Sequence, residues 1–256
     1  MTNIEPPHDF SKATAHLSMM CNGQVLAVGS GLLINFDGIS YLFTASHNLT
    51  GRDQYGNLLN RSGGHRPNSL RLEGYNLDVS VLLYPEDDIG MEHPFYIANE
   101  LRDVAIMRIS PRKCSHSLHR SFIDPNQHNA LKIRIGDVGF VVGYPRGIHT
   151  QSGQGPLPIW KNVTIASEPS FTGPDQPLLI DSWGEAGLSG GPVFIEKVIH
   201  NQTYRRLLGI YTGRKKTMPD EMDSRTESLG RVTPLELALD LFWHNKSDLD
   251  SRIQPQ

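Results

Sequence analysis

The run Gly187-Leu188-Ser189-Gly190-Gly191-Pro192 sets one hydroxyl among three glycines. With no Cβ at 187, 190 and 191 the backbone can turn tightly and leave Ser189 Oγ open to a substrate. The same freedom lets the N–H groups of Gly187 and Ser189 converge on one point, as a carbonyl becoming an oxyanion requires. Gly/Ser/Pro clusters also mark ordinary turns, so the chemistry depends on partners elsewhere in the chain. A hydroxyl nucleophile needs a base to take its proton, and that base needs an acid to hold its tautomer and stabilise the imidazolium. Among eleven histidines, His47 follows Thr44-Ala45-Ser46 at the end of an apolar run, where a ring can reach a cleft. Alone, a histidine there would be read as structural. Two aspartates compete for the third role. Asp103 precedes Val104-Ala105-Ile106-Met107-Arg108-Ile109 and so enters a buried strand, where a carboxylate is costly unless hydrogen-bonded. Asp78 stands before Val79-Ser80-Val81-Leu82-Leu83 in a similar way. Asp103 is preferred because it opens the last strand before a polar stretch, where two halves of the chain would face each other.

Other clusters carry less. Cys114-Ser115-His116-Ser117-Leu118-His119 puts one cysteine and two histidines in a loop, which is not a zinc-ligand spacing. Glycines 143 and 147 lack the strand, turn and helix context of a dinucleotide loop. Arg214-Lys215-Lys216 reads as a solvated turn. Neither a metal nor a cofactor is expected.

Short strands must position these residues. The pattern predicts strands over 15–20, 24–34 and 39–44, joined by turns at Asn22-Gly23 and Asp37-Gly38, the strongest short hairpin signals. A loop at 50–68 follows, then strands over 69–73, 77–84 and 101–109, stopped by Pro111. After a polar stretch at 111–130, strand signals resume over 131–135, 138–143 and 144–147. A Gly/Pro-rich loop runs to Pro158, and strands follow over 160–166, 177–181, 192–198 and 204–211. Only the last part reads as helical: Thr233 as N-cap, Pro234 at the first helical position, then an apolar stripe from Leu235 to Trp243. The resulting division is an arm laid over the surface at 1–12, a first β unit at 13–112 carrying His47 and Asp103, and a linker at 113–130. A second β unit at 131–232 carries Ser189, and a helix and tail occupy 233–256.

The 256 residues include 24 glycines and 17 prolines and are 38% hydrophobic, as expected of a turn-rich globular β protein. A formal charge of −3 gives no electrostatic footprint for nucleic acid or an anionic membrane. Two cysteines, Cys21 and Cys114, cannot build a disulfide framework, which favours a reducing compartment. The opening residues lack a basic-then-apolar leader, and no stretch reaches the ~18 apolar residues a membrane helix needs. The expectation is a cytoplasmic protein that neither binds nucleic acid nor enters a membrane.

Thr44-Ala45-Ser46-His47, Asp103-Val104-Ala105-Ile106 and Gly187-Leu188-Ser189-Gly190-Gly191-Pro192 occur in the order His, Asp, Ser, and in this the chain resembles the chymotrypsin-like serine peptidases. The likeness extends to Gly136-Asp-Val-Gly-Phe-Val-Val-Gly-Tyr-Pro-Arg-Gly147 and Leu208-Gly-Ile-Tyr-Thr-Gly213, which look like bacterial HtrA-type and related trypsin-like domains. The resemblance implies an all-β fold of two six-stranded antiparallel barrels with a C-terminal helix, and a serine endopeptidase acting on polypeptides. It implies a pocket built from Trp183 at its floor and Tyr211, Thr212, Gly213 and Arg214 along its back and wall. Leu188 departs from the aspartate that cleavage-activated members place before the nucleophile, and the expectation for residues 233–256 is a helix and tail with no recognisable peptide-binding module. A regulatory protein partner is left open, as is the rival reading of a catalytically silent scaffold.

Overall fold

The computed structural model describes residues 6–53, 56–59, 65–86, 88, 91–109, 116–119, 131–173, 176–182, 184–214 and 229–252. A one-turn helix, α1 (Asp9–Ala13), leads into β1 (Thr14–Cys21), β2 (Gln24–Phe36) and β3 (Ile39–Thr44), and a second short helix, α2 (Ser46–Thr50), follows at once. Then come β4 (Ser69–Gly74), β5 (Leu77–Leu82), β6 (Tyr96–Asn99), β7 (Val104–Ile109) and the two-residue β8 (Leu118–His119). The second half holds β9 (Val138–Gly143), the hairpin β10 (Thr150–Ser152) and β11 (Gly155–Leu157), β12 (Ile159–Ile165), β13 (Leu178–Asp181), β14 (Pro192–Ile199), β15 (Gln202–Arg214) and β16 (Leu229–Pro234). The last described helix is α3 (Leu235–Ser251).

Both expected hairpins form. Asn22 and Gly23 take φ of 50° and 79°, and Asp37 and Gly38 take 54° and 84°, the paired positive φ values that match the twist of the flanking strands. They set Cys21 opposite Gln24 and Phe36 opposite Ile39.

The architecture is all-β with a helix at its end, consistent with a chymotrypsin-like fold. The second half closes as β12-β13-β16-β15-β14-β9. The first does not close as expected: it is a curled sheet in the order β5-β4-β1-β2-β3-β7-β6, with β8 alongside β2. Its two ends share no ladder among the described residues; next to them the Phe95 N–H donates to the Leu83 carbonyl at 2.9 Å and the Tyr84 and Tyr96 hydroxyls meet at 2.6 Å.

Several local expectations are corrected. Residues 131–135 form no strand, and 144–147 form a 3-10 turn over Pro145–Gly147. The loop before Pro158 holds β10 and β11. Thr233 does not cap α3: it pairs with Ile210 inside β16 and its hydroxyl donates to the Arg102 carbonyl, so the helix begins after Pro234. Strand pairing wins there over a capping signal. Most of the 113–130 linker lies outside the described residues, and its described part supplies β8.

Of the segment read as a surface arm, the described part, residues 6–12, is anchored in the core through Phe10. Phe10 is 1% exposed and stacks on Phe194 of β14 with ring centroids 4.3 Å apart, among Leu32, Ile34 and Val142. That cluster joins the halves, and α3 seals it with Phe242 stacked on Phe36 at 4.3 Å. Separate apolar clusters fill the first sheet around Leu17, Leu42 and Met107, and the barrel around Val141, Ile180 and Val193. Phe10→Ala removes a buried ring from the joint and is expected to cost roughly 3–5 kcal/mol, read from the urea midpoint. A loss under about 0.5 kcal/mol, the range of ordinary surface changes, would show that the segment only rests on the surface.

Candidate active site

The first half brings His47 and Asp103 together. His47 sits in the first turn of α2, whose N-cap, Ala45, has no side chain to satisfy the exposed amides. A carboxylate from another strand does that instead: the His47 N–H donates to Asp103 Oδ1 at 3.1 Å. His47 Nδ1 lies 2.9 Å from both Asp103 oxygens, and Ser46 Oγ donates to Oδ1 at 2.9 Å. Asp103 takes φ of 51° in the turn that opens β7, a conformation aspartate tolerates better than most residues. It is 6% exposed. Burial alone would raise its pKa, but the His47 imidazole and the hydrogen bonds from His47 and Ser46 outweigh burial and hold the carboxyl below the usual carboxylate value. Its contribution to stability is therefore full above the ordinary carboxylate range and is lost as pH falls through the lowered folded value. Asp78 is elsewhere, exposed on β5 and paired to Arg71 by two contacts of 3.1 Å.

The second half presents Ser189 on the loop between β13 and β14. Gly187 has φ of 93°, and a Cβ there would run into the Tyr144 carbonyl. Leu188 points into the barrel core, fully buried. The carbonyl of Ala186 accepts from the Arg146 N–H at 2.6 Å, and that of Leu188 accepts from the Gly191 N–H at 3.0 Å. A trans peptide sets N–H opposite C=O, so the N–H groups of Gly187 and Ser189 both turn away from these anchors. Among the described residues neither has a protein acceptor. His47, Asp103, Gly187 and Ser189 line a single cleft of about 1070 Å³.

Of the residues expected around a pocket, Thr212, Gly213 and Arg214 line this cleft, and a Cβ at Gly213 would stand 3.7 Å from Ser189 Oγ. Trp183 lies outside the described residues. Tyr211 does not line the cleft: it is 1% exposed inside the barrel, its ring against Gly230 and its hydroxyl beneath Gly184. The reason is the irregular register of β15 between Tyr211 and Gly213, which turns Tyr211 inward and its successors toward the cleft. Burial pushes the Tyr211 phenol up to about 12, with Arg214 opposing. Arg102 and Arg231 also line the cleft, with Asp53 and Glu168. Asp181 and Glu185 do not; Glu185 pairs with Lys161 at 3.0 Å.

Three residues escaped sequence reasoning. Ser46 and Asn48 flank His47, and Ser30 lies in Gly29-Ser30-Gly31; only their adjacency to the base and to paired glycines could have drawn notice. The cysteine–histidine loop is only partly described, and Cys114 falls outside. Among the described residues, no three His, Cys, Asp or Glu side chains converge to hold a metal. No described helix is long and apolar enough to cross a membrane.

No family model matches the sequence, and no curated protein matches it. Among solved structures the fold is similar to that of a serine endoprotease from Yersinia pestis. The two are 17% identical with a TM-score of 0.53, and the match covers 96% of this chain and 68% of that one. A likeness at that identity establishes the fold and leaves the chemistry to the site itself.

Proposed function

We propose that the chain is a serine endopeptidase of the trypsin-like kind, nearest in its motifs to HtrA-type domains. The observation that carries this reading is the His47–Asp103 pair sharing one cleft with Ser189. In the proposed reaction Ser189 Oγ attacks the scissile carbonyl while its proton passes to His47 Nε2, the nitrogen left over once Nδ1 is engaged by Asp103. The developing oxyanion is taken by the N–H groups of Gly187 and Ser189. Collapse of the tetrahedral intermediate breaks the C–N bond, and the His47 proton leaves with the amine. Water, activated by the same imidazole, then hydrolyses the acyl-enzyme. The scaffold reading keeps the fold and drops this chemistry; a buried carboxylate with both oxygens 2.9 Å from the ring nitrogen of a cleft histidine favours the enzyme.

Substrate choice follows from the wall beside Ser189, where Thr212, Gly213, Arg214 and Arg231 stand and where Asp181 and Glu185 are absent. A basic substrate side chain placed against this wall would face Arg214 and Arg231, and such a like-charge approach costs several kcal/mol; the carboxylates lining the cleft among the described residues are Asp53, Asp103 and Glu168. Digestion of a mixed peptide library, with products identified by mass spectrometry, is expected to show amide hydrolysis after uncharged or acidic residues. Strong preference for Arg or Lys would refute this pocket, and no hydrolysis of any peptide would favour the scaffold.

A further inference from the structure

We infer that Asn48, together with Ser30, is a positioning device that holds the nucleophile loop of the second half against the histidine-bearing helix of the first. The inference rests on Ser189 being the nucleophile. Asn48 follows His47 in α2 and is 1% exposed. Its Nδ2 donates to the Ser189 carbonyl at 2.9 Å and to Thr44 Oγ1 at 3.0 Å. Thr44 Oγ1 donates to the Ser30 carbonyl at 2.8 Å, and the Ser30 N–H donates to the same Ser189 carbonyl at 2.8 Å. The bonds close a ring through Ser30, Thr44, Asn48 and Ser189, with Ser30 and Thr44 fully buried.

Ser30 adds a second anchor. Its Oγ donates to the Gly187 carbonyl at 2.7 Å and accepts the Tyr144 N–H at 3.0 Å. With Arg146 and Gly191 holding the Ala186 and Leu188 carbonyls, all four consecutive peptide planes from 186 to 190 are fixed through their oxygens. Two of the four planes, 187–188 and 189–190, are anchored from the first half, and they flank on both sides the plane that carries the Ser189 N–H. Gly190 shows how close that contact is: a Cβ there would collide with the Ser30 carbonyl and Thr44 Oγ1. A polar group buried at such a joint is costly unless paired, and here the pairings hold the carbonyls of the same two residues, Gly187 and Ser189, whose N–H groups face the cleft. The loop is thus held by hydrogen bonds from both halves of the single chain.

Two substitutions test the device. Asn48→Leu removes the amide at similar volume. Gly29→Ala leaves Asn48 in place but sets a Cβ 2.6 Å from its Nδ2, displacing the flexible amide rather than deleting it. Each is expected to lower the rate of fluorophosphonate labelling by about 10²-fold, the loss that small misplacements of reacting groups produce. On a cleaved peptide the loss should fall on kcat, with KM within about threefold of wild type, because the substrate's own contacts are untouched. Exchange of the Gly190 and Gly191 N–H groups should quicken in both variants. Labelling at the wild-type rate in either folded variant would overturn the inference. If the wild type itself resists labelling, the nucleophile assignment fails instead, and unchanged amide exchange in the variants would then overturn the tether as well.

Discussion

Ser189→Ala and His47→Ala are each expected to abolish peptidase activity, by on the order of 10⁴ to 10⁶ in kcat, while leaving the fold in place. The size follows from the shared role of the residues. Without Ser189 Oγ there is no acyl-enzyme, and without His47 the hydroxyl keeps its proton, so losing one member costs nearly as much as losing both. The double variant should therefore be little worse than either single one. Stability should move little, because Ser189 and His47 face the cleft rather than the packed clusters. The check is hydrolysis of a peptide drawn from the library, with the urea midpoint measured alongside. If Ser189→Ala kept a tenth of wild-type activity, the assignment would be wrong.

Asp103→Asn is expected to lower kcat by about 10⁴-fold, the cost of holding the imidazole in the wrong tautomer. An amide at 103 would present an N–H to His47 Nδ1, which now faces two carboxylate oxygens at 2.9 Å. Its oxygen, left at the Oδ1 position, would still accept from Ser46 Oγ and the His47 N–H, so the loss falls on the imidazole tautomer. Asp78→Asn removes only an exposed pairing with Arg71 and should leave activity at the wild-type level. Parallel assays of the two variants decide between the aspartates, and the reverse ranking would return the role to Asp78.

Where local chemistry settles the outcome, the sequence was readable. Asn22-Gly23 and Asp37-Gly38 demand positive φ and obtain it; Asp103 at the mouth of an apolar strand demands partners and finds His47 and Ser46. Where a long-range partner settles it, the sequence was silent. Phe10 looked like part of a polar arm because Phe194, the ring it stacks on, is far along the chain. Thr233 carried a helix-cap signal that pairing with Ile210 overrode. Tyr211 was placed in the pocket by likeness, and a register shift in β15 turned it into the core. Ser30 and Asn48 had no periodicity or spacing to reveal them, since their partners are backbone carbonyls of a loop in the other half. Closure of the first sheet was equally out of reach, because it depends on whether two strand ends meet.

The most direct measurement is reaction of the intact chain with a serine-directed fluorophosphonate, followed by peptide mapping of the adduct. The account predicts a single modification at Ser189, abolished in both His47→Ala and Ser189→Ala and severely slowed in Asp103→Asn. A folded protein that takes up no label, or takes it at another serine, would contradict it.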